Sequence, residues 1–440
     1  MRKMISPDTF ARYAAMRVPR YTSYPTAPHF SGTVDEPQYR SWLRNLSADE
    51  PVSLYLHVPF CREMCWYCGC HTTVTRREAP VRRYAMTLVR EIELVAFELR
   101  ERLQIGHLHW GGGSPTLLAP DDLDLLTGVL RKRFELSPQI EGAVEIDPRT
   151  LTPEIASAFA RAGVNRASIG VQSFDPKVQD AINRVQSFET TATAVRMLRE
   201  RGIPAINVDL IYGLPFQSVQ SCVDTVDQAL NLQPDRFAVF GYAHVPSFKP
   251  HQRRIDDASL PGPAERHEQS DAIARALTTR GYHRIGLDHF ALPGDSLAQA
   301  AEDGTLHRNF QGYTTDPCRT LIGFGASAIG RLAEGFVQNA TRIPDYERRI
   351  AGGALATVRG YELTVEDRRR ASIIEQLMCD YQADVSGIAA PLEQLETDGL
   401  IRRENDLIRV VDDARPLVRA VAAAFDSNLL DSIAPHVTAV

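Results

Sequence analysis

From Val52 onward the apolar positions follow two periods in turn. Short runs that alternate, or are apolar throughout, predict strands at 52–58, 105–110, 142–147, 165–171, 204–212 and 235–242. Between them lie longer segments with apolar residues every three or four positions, predicting helices near 79–103, 120–134, 152–162, 175–202 and 217–231. Six strand–helix units in succession imply parallel strands joined by crossovers, either an open doubly wound sheet or a full or partial barrel. In either architecture the chemistry gathers at the carboxyl ends of the strands.

The flanks follow other patterns. Residues 1–50 show little periodicity and contain Pro19-Arg20-Tyr21-Thr22-Ser23-Tyr24-Pro25-Thr26, too proline-broken for a helix and too aromatic for a disordered tail. This extension is expected to pack on the main domain, which runs over 51–335. Past residue 260 come a helix near 263–280, the stretch from His307 to Thr315, and a glycine-punctuated run from Leu321 to Gly330. From 345 to 440 the chain reads as an α-rich domain. Helices over 366–381 and 391–399 precede a hairpin over 401–410, an order that suggests either a winged helix or a lid.

Each predicted strand ends in glycine or polar residues. In order these are the cysteine-rich stretch after residue 60, Gly111-Gly112-Gly113-Ser114-Pro115, Glu145-Ile146-Asp147-Pro148, Gly170-Val171-Gln172-Ser173, Asp209 to Pro215, and Gly241-Tyr242-Ala243-His244. Singly these read as turns; together they outline a place for a cofactor.

With 44% hydrophobic and 24% charged residues over 440 positions, the composition is that of a globular protein with a large core. A net charge of -6 gives no support for a nucleic-acid or membrane-surface binder and points to a small-molecule partner. No stretch approaches the ~20 apolar residues of a membrane span, and Met1 to Phe10 lacks a signal-peptide core, so a cytoplasmic protein is expected.

A reducing compartment moves the cysteines from disulfides toward metal chemistry. Four of the seven lie in Cys61-x3-Cys65-x2-Cys68-x-Cys70, while Cys222, Cys318 and Cys379 read as packing residues. Structural zinc sites pair two cysteine knuckles a dozen or more residues apart, and no second knuckle is present. The spacing instead suits one loop placing three thiolates on a cubane. Cys70 could fill the fourth position or stand aside, and spacing alone leaves both open.

The three-cysteine loop with an aromatic before its last cysteine resembles that of the radical S-adenosylmethionine (SAM) enzymes. Further stretches resemble the oxygen-independent coproporphyrinogen III oxidase family: Tyr21 to Thr26, Tyr55-x-His57-x-Pro59-Phe60-Cys61, Gly69-Cys70, His109 to Gly113, Gly170-Val171-Gln172, Asp209 to Pro215 and Asn309 to Thr315. Related haem chaperone-like proteins share the loop but lack the counterparts of Cys70, Tyr21–Thr26 and Gly312–Thr315.

The resemblance implies an α/β fold built on a partial (β/α)6 radical SAM barrel, with an N-terminal extension and a small α-rich C-terminal domain. It implies a [4Fe–4S] cluster on Cys61, Cys65 and Cys68, with Cys70 near but not bound. It places one SAM against Tyr55, Tyr67, Gly111, Glu145 and Ile329, and a second against Gly112, Ser114, Gln172, Arg184, Asp209 and Ala243. Gly113 completes the glycine run, read as an opening for backbone to approach SAM. Unaided by the resemblance, Asp209 reads as a strand-end cap and Arg184 as a solvated helix charge, whereas Glu145 in an apolar run already leans functional.

The implied reaction is anaerobic oxidative decarboxylation of two propionates of coproporphyrinogen III to vinyl groups, giving protoporphyrinogen IX by way of a SAM-derived 5′-deoxyadenosyl radical. The expected partners are that substrate and a flavodoxin- or ferredoxin-like reductant, with no nucleic acid and no membrane, and the protein is expected to act as a monomer. Four substrate carboxylates call for local cations, for which Arg17, Arg20, Arg253, Arg254, His307 and Arg308 are candidates.

Overall fold

The structure is a computed structural model describing residues 5–429 and 437–438. The chain falls into two compact units. One comprises Ser31–Gly262 and Cys318–Glu362; the other comprises the chain up to Phe30, Pro263–Pro317 and everything from Leu363. This division departs from the boundaries expected near residues 50, 335 and 345.

In the larger unit six parallel strands lie side by side in sequence order: β1 (Val52–Val58), β2 (Gln104–Gly112), β3 (Glu135–Ile146), β4 (Arg166–Gln172), β5 (Ala205–Tyr212) and β6 (Arg236–Gly241). The outer edge of β1 pairs with Leu321–Phe324 rather than with β6, so the barrel is partial, and an antiparallel run through Ile329–Arg331, Gly335–Asn339 and Thr357–Glu362 extends that side. β1 is buried at every position except Tyr55, as a strand covered on both faces requires.

The crossover helices are α1 (Glu78–Glu98), α2 (Pro120–Arg133), α3 (Pro153–Arg161), α4 (Pro176–Ala181), α5 (Phe188–Glu200) and α6 (Val219–Leu230). α1 buries Val81, Tyr84, Ala85, Leu88, Ile92 and Val95, one stripe at helical spacing. α2 opens on Pro120 with Asp121 and Asp122 and closes on Arg131–Arg133, matching charge to its dipole at both ends. The helix predicted over 175–202 is two helices. Asn183 adopts a left-handed φ of 55°, and Ser187 starts α5 afresh by accepting from Thr190 N–H at 3.1 Å. β3 begins seven residues earlier than predicted, at Glu135, which pairs with Gln104.

In the second unit, Tyr13, Val18, Tyr21 and Tyr24 are buried in one core with the helix Val365–Asp380 and residues Leu392 to Phe425. Tyr21 donates to Asp426 at 3.1 Å, and the Tyr24 hydroxyl lies 2.9 Å from that of Ser427. The tyrosine segment therefore supplies core to the C-terminal part of the chain. There a sheet ordered Gln382–Asp384, Leu407–Val410, Ile401–Glu404 accompanies the helices, one strand more than the predicted hairpin.

Candidate active site

The cysteine loop leaves the end of β1 and is closed at its base. Phe60 and Cys61 pair in parallel with Thr73 and Val74, and Thr75 N–H donates to the Cys61 carbonyl at 2.9 Å. Cys65 is buried, Cys61 and Cys68 half-buried, and Cys70 exposed. Each of the first three sulfurs has a donor beside it. Thr72 Oγ1 lies 3.2 Å and Ser114 Oγ 3.7 Å from Cys61 Sγ; Arg184 Nη1 lies 3.6 Å and Arg149 Nη2 3.8 Å from Cys65 Sγ; Cys70 N lies 3.4 Å from Cys68 Sγ.

A hydrogen bond from the Cys70 side chain, aided by the Cys70 N–H and the Lys249 ammonium, brings the Cys68 thiol down to about 7 against the opposing effect of burial. The same bond pushes Cys70 well above its ordinary range. Three thiols on one loop, each with a donor at its sulfur, fit a cluster held by thiolates that accept hydrogen bonds. Among the described residues no three His, Cys, Asp or Glu side chains converge as a single ion demands. A cubane asks for a different arrangement, one thiolate per iron.

Glu145, near the end of β3, accepts from the Gly112 N–H at 2.9 Å and lies 3.3 Å from His109 Nε2. Burial resists its ionisation, but the His109 and Gly112 bonds outweigh that and hold the carboxyl below the usual range. Protein encloses it, yet 37% of its side chain is open, so it faces an internal recess.

The glycine run beside it makes room for protein rather than only for ligand. A Cβ on Gly111 would stand 2.7 Å from Glu145 Oε1, one on Gly112 2.5 Å from the His57 ring, and one on Gly113 2.5 Å from the Phe60 carbonyl. Gly112 also has φ +109°, where a side chain is strained in any case. His57 is buried, 3.0 Å from the Tyr55 hydroxyl through Nδ1 and 3.0 Å from the His71 carbonyl through Nε2.

Arg184 is not a solvated helix charge. It follows Asn183 in the break between α4 and α5, is 6% exposed, and reaches Cys65 Sγ, the Gly170 carbonyl (2.7 Å) and Asp147 (3.5 Å). Asp147 also takes three bonds from Arg149, two from the guanidinium at 2.9 and 2.7 Å and one from the backbone N–H at 3.1 Å. Gln172 ends β4 with a left-handed φ of 70°. Asp209 is more than a cap: Ser168 Oγ sits 2.9 Å from both its oxygens and Asn207 Nδ2 donates at 2.7 Å. Burial drives its pKa up to about 7; the Ser168 and Asn207 bonds offset only part of this, and nearby Glu145 adds to it.

Ser114 is buried and donates its N–H to the Phe60 carbonyl at 2.7 Å. Ile329 opens the strand beside Leu321–Phe324, its carbonyl 2.6 Å from where a Cβ on Gly323 would lie. Tyr67 and Ala243 share a partner, since Gln252 Nε2 donates to both carbonyls, at 3.0 and 3.2 Å. The segment that follows β6 supplies two more contacts, His251 Nε2 at 2.8 Å from the Cys68 carbonyl and Lys249 Nζ at 3.1 Å from that of Cys70. Sequence reasoning missed Lys249, His251, Gln252, Arg149 and Asn183, because their partners lie far away along the chain.

Of the cations considered for substrate carboxylates, Arg254 sits over the Trp66 ring at 5.7 Å. Within the second unit Arg308 is buried over the Tyr313 ring at 4.4 Å and lies 3.9 Å from Asp288, and its Nε and Nη1 have no hydrogen-bond partner among the described residues.

Residues 55–229 match the family model described as Radical SAM superfamily. Oxygen-independent coproporphyrinogen III oxidase of Bradyrhizobium diazoefficiens is 54% identical over 436 residues, covering 96% of this chain and 97% of the relative. The enzyme of that name from Pseudomonas aeruginosa is 41% identical over 440 residues, 96% of this chain and 95% of the relative. The solved coproporphyrinogen III oxidase of Escherichia coli, described as a radical SAM enzyme, superposes with a TM-score of 0.89 at 36% identity over 97% of this chain and 100% of that one. Sequence and fold thus agree along nearly the full length of each chain, and the protein belongs to the oxygen-independent coproporphyrinogen III oxidase family of the radical SAM superfamily.

Proposed function

We propose that the protein converts coproporphyrinogen III to protoporphyrinogen IX without oxygen, turning two propionate side chains into vinyl groups. Each conversion removes a β-hydrogen atom, carbon dioxide and one further electron. The observation that carries this reading is the closed cysteine loop at the end of β1, with a donor at each of three sulfurs, in a chain aligned end to end with relatives named for this activity. In this reading Cys61, Cys65 and Cys68 hold the [4Fe–4S] cluster and Cys70 stands beside it. Reduced cluster and SAM, held by these residues, would supply the radical chemistry that removes a substrate β-hydrogen.

The chain's own residues bind, orient and exclude water. Glu145, ionised and open to the recess, suits an ammonium or ribose hydroxyls. With Tyr55, Tyr67, Gly111 and Ile329 it lines the SAM held at the cluster. Gly112, Ser114, Gln172, Arg184, Asp209 and Ala243 are the positions for a second SAM, and Gly113 completes the glycine run beside them. Arg184 and Arg149 place two guanidinium donors beside the Cys65 sulfur. A flavodoxin- or ferredoxin-like protein delivers the electron, and the chain acts as a monomer in the cytoplasm. Among the described residues no helix is long and apolar enough to cross a membrane.

Anaerobic incubation with coproporphyrinogen III, SAM and a strong reductant tests the proposal. Product lighter by two molecules of carbon dioxide and four hydrogen atoms is expected; none from protein carrying a full cluster overturns it.

A further inference from the structure

Outside the residues discussed for the cluster and SAM, one short segment makes an unusual set of contacts with the cysteine loop. Lys249 Nζ lies 3.1 Å from the Cys70 carbonyl, His251 Nε2 2.8 Å from that of Cys68, and Gln252 Nε2 3.0 Å from that of Tyr67. Three carbonyls within four residues are thus taken by side chains of one turn, about 180 positions downstream. A carbonyl only accepts, so His251 carries its proton on Nε2. Gln252 is 1% exposed and uses its whole amide, with Nε2 shared between Tyr67 and Ala243 and Oε1 accepting from Val245 N–H at 2.6 Å.

The same loop is also gripped nearer its start. Asn183 Nδ2 donates to the Met64 carbonyl at 2.8 Å, and Trp66 N–H to that of Ile182 at 2.9 Å.

We infer that the turn Lys249–Gln252 is a positioning device for the cluster loop, with His251 fixing the Cys68 peptide and Gln252 tying the loop to the strand end at Ala243. The inference rests on the proposed reading of Cys61, Cys65 and Cys68 as cluster ligands. A loop carrying three thiolates for one cofactor holds it only as well as its backbone is held, and these bonds set where Cys68 stands relative to Cys61 and Cys65. Through one amide, Gln252 also makes the placement of Tyr67 and Ala243 interdependent.

The test uses full-length protein with its cluster reconstituted. His251→Leu and Gln252→Leu remove the donors at similar volume, and His251→Gln returns an amide N–H. Two properties are read without turnover: the rate of iron loss to a ferrous chelator under anaerobic conditions, and the change that SAM produces in the electron paramagnetic resonance spectrum of the reduced cluster. Both leucine variants are expected to lose iron about ten-fold faster, the effect of about one buried hydrogen bond, and to show an altered SAM response, with His251→Gln restoring most of both.

Parental iron retention and an unchanged SAM response in both leucine variants would overturn the inference alone. A parent protein that takes up no cluster would overturn the site reading, and this inference with it. Should Gln252→Leu fold poorly, the His251 pair decides, because rescue by glutamine distinguishes a positioning bond from general packing.

Discussion

Arg184 and Cys65 stand 119 positions apart in the chain, yet the guanidinium Nη1 lies 3.6 Å from the thiol sulfur. The same guanidinium binds the Gly170 carbonyl and faces Asp147, so one side chain joins the end of β4, the end of β3 and the cysteine loop. Replacing Arg184 with Gln is expected to destabilise the fold by about 1–3 kcal/mol, since a buried acceptor loses a charged donor. Arg184→Lys should recover little, because an ammonium cannot present the planar fork that meets three partners. Urea unfolding and iron content of both variants check this, and full recovery by lysine would contradict it.

Cysteine replacement separates the four thiols of the loop. Cys61→Ala, Cys65→Ala and Cys68→Ala are each expected to abolish the cluster, measured as bound iron. Cys70→Ser should keep its iron, since a hydroxyl can still donate toward Cys68 and the Cys70 N–H contact at 3.4 Å is unchanged, while its activity should fall. Iron loss in Cys70→Ser as complete as in the other three would reassign that residue as a ligand.

Asp209 makes stability depend on pH with a definite sign. Its pKa is raised from 3.8 to about 7, so between those values the folded state binds the proton more tightly than the unfolded state. This group's contribution therefore becomes less favourable as pH rises from about 4 to about 7, and is constant above and below that window. Asp209→Asn abolishes the ionisation, so its stability relative to the parent should climb across the same interval. Thermal melts at several pH values would show the divergence, and parallel curves would rule out the raised pKa.

Gly112 and His57 are coupled. Gly112→Ala must accept a left-handed φ and place a methyl 2.5 Å from the imidazole. A loss of roughly 2 kcal/mol or more is expected from strain and overlap together. Adding His57→Ala removes the overlap but not the strain, so the double variant should be more stable than the sum of the two single losses. Additivity in denaturant unfolding would show that the ring moves aside freely.

Sequence showed well what depends on neighbours in the chain. β1, β2, β4, β5 and β6 stood out because apolar alternation reports burial directly, and the glycine and polar residues at their ends marked the recess. The break at Asn183 was hidden, since the apolar period continues across it from Val178 to Val195 and one left-handed residue leaves no mark on that pattern. The glycines at 111–113 could be read as room for a ligand, but only three dimensions reveal His57, Glu145 and Phe60 already pressed against them. Gln252 carries no signal in sequence, because its meaning lies in two carbonyls, one of them 185 positions away. Tyr21 and Tyr24 were legible as buried aromatics, but not as core for residues near 426.

The two grips on the cysteine loop come from parts of the chain made well after it. The ribosome delivers the last cysteine of the loop some 180 residues before His251 and Gln252, an interval of roughly 10–40 s at ordinary elongation rates. Throughout that time the nascent loop lacks the side chains that seat it, and its thiols are open to oxidation or stray metal. The contacts from Lys249, His251 and Gln252 therefore become available to the loop only once the first 252 residues have been made.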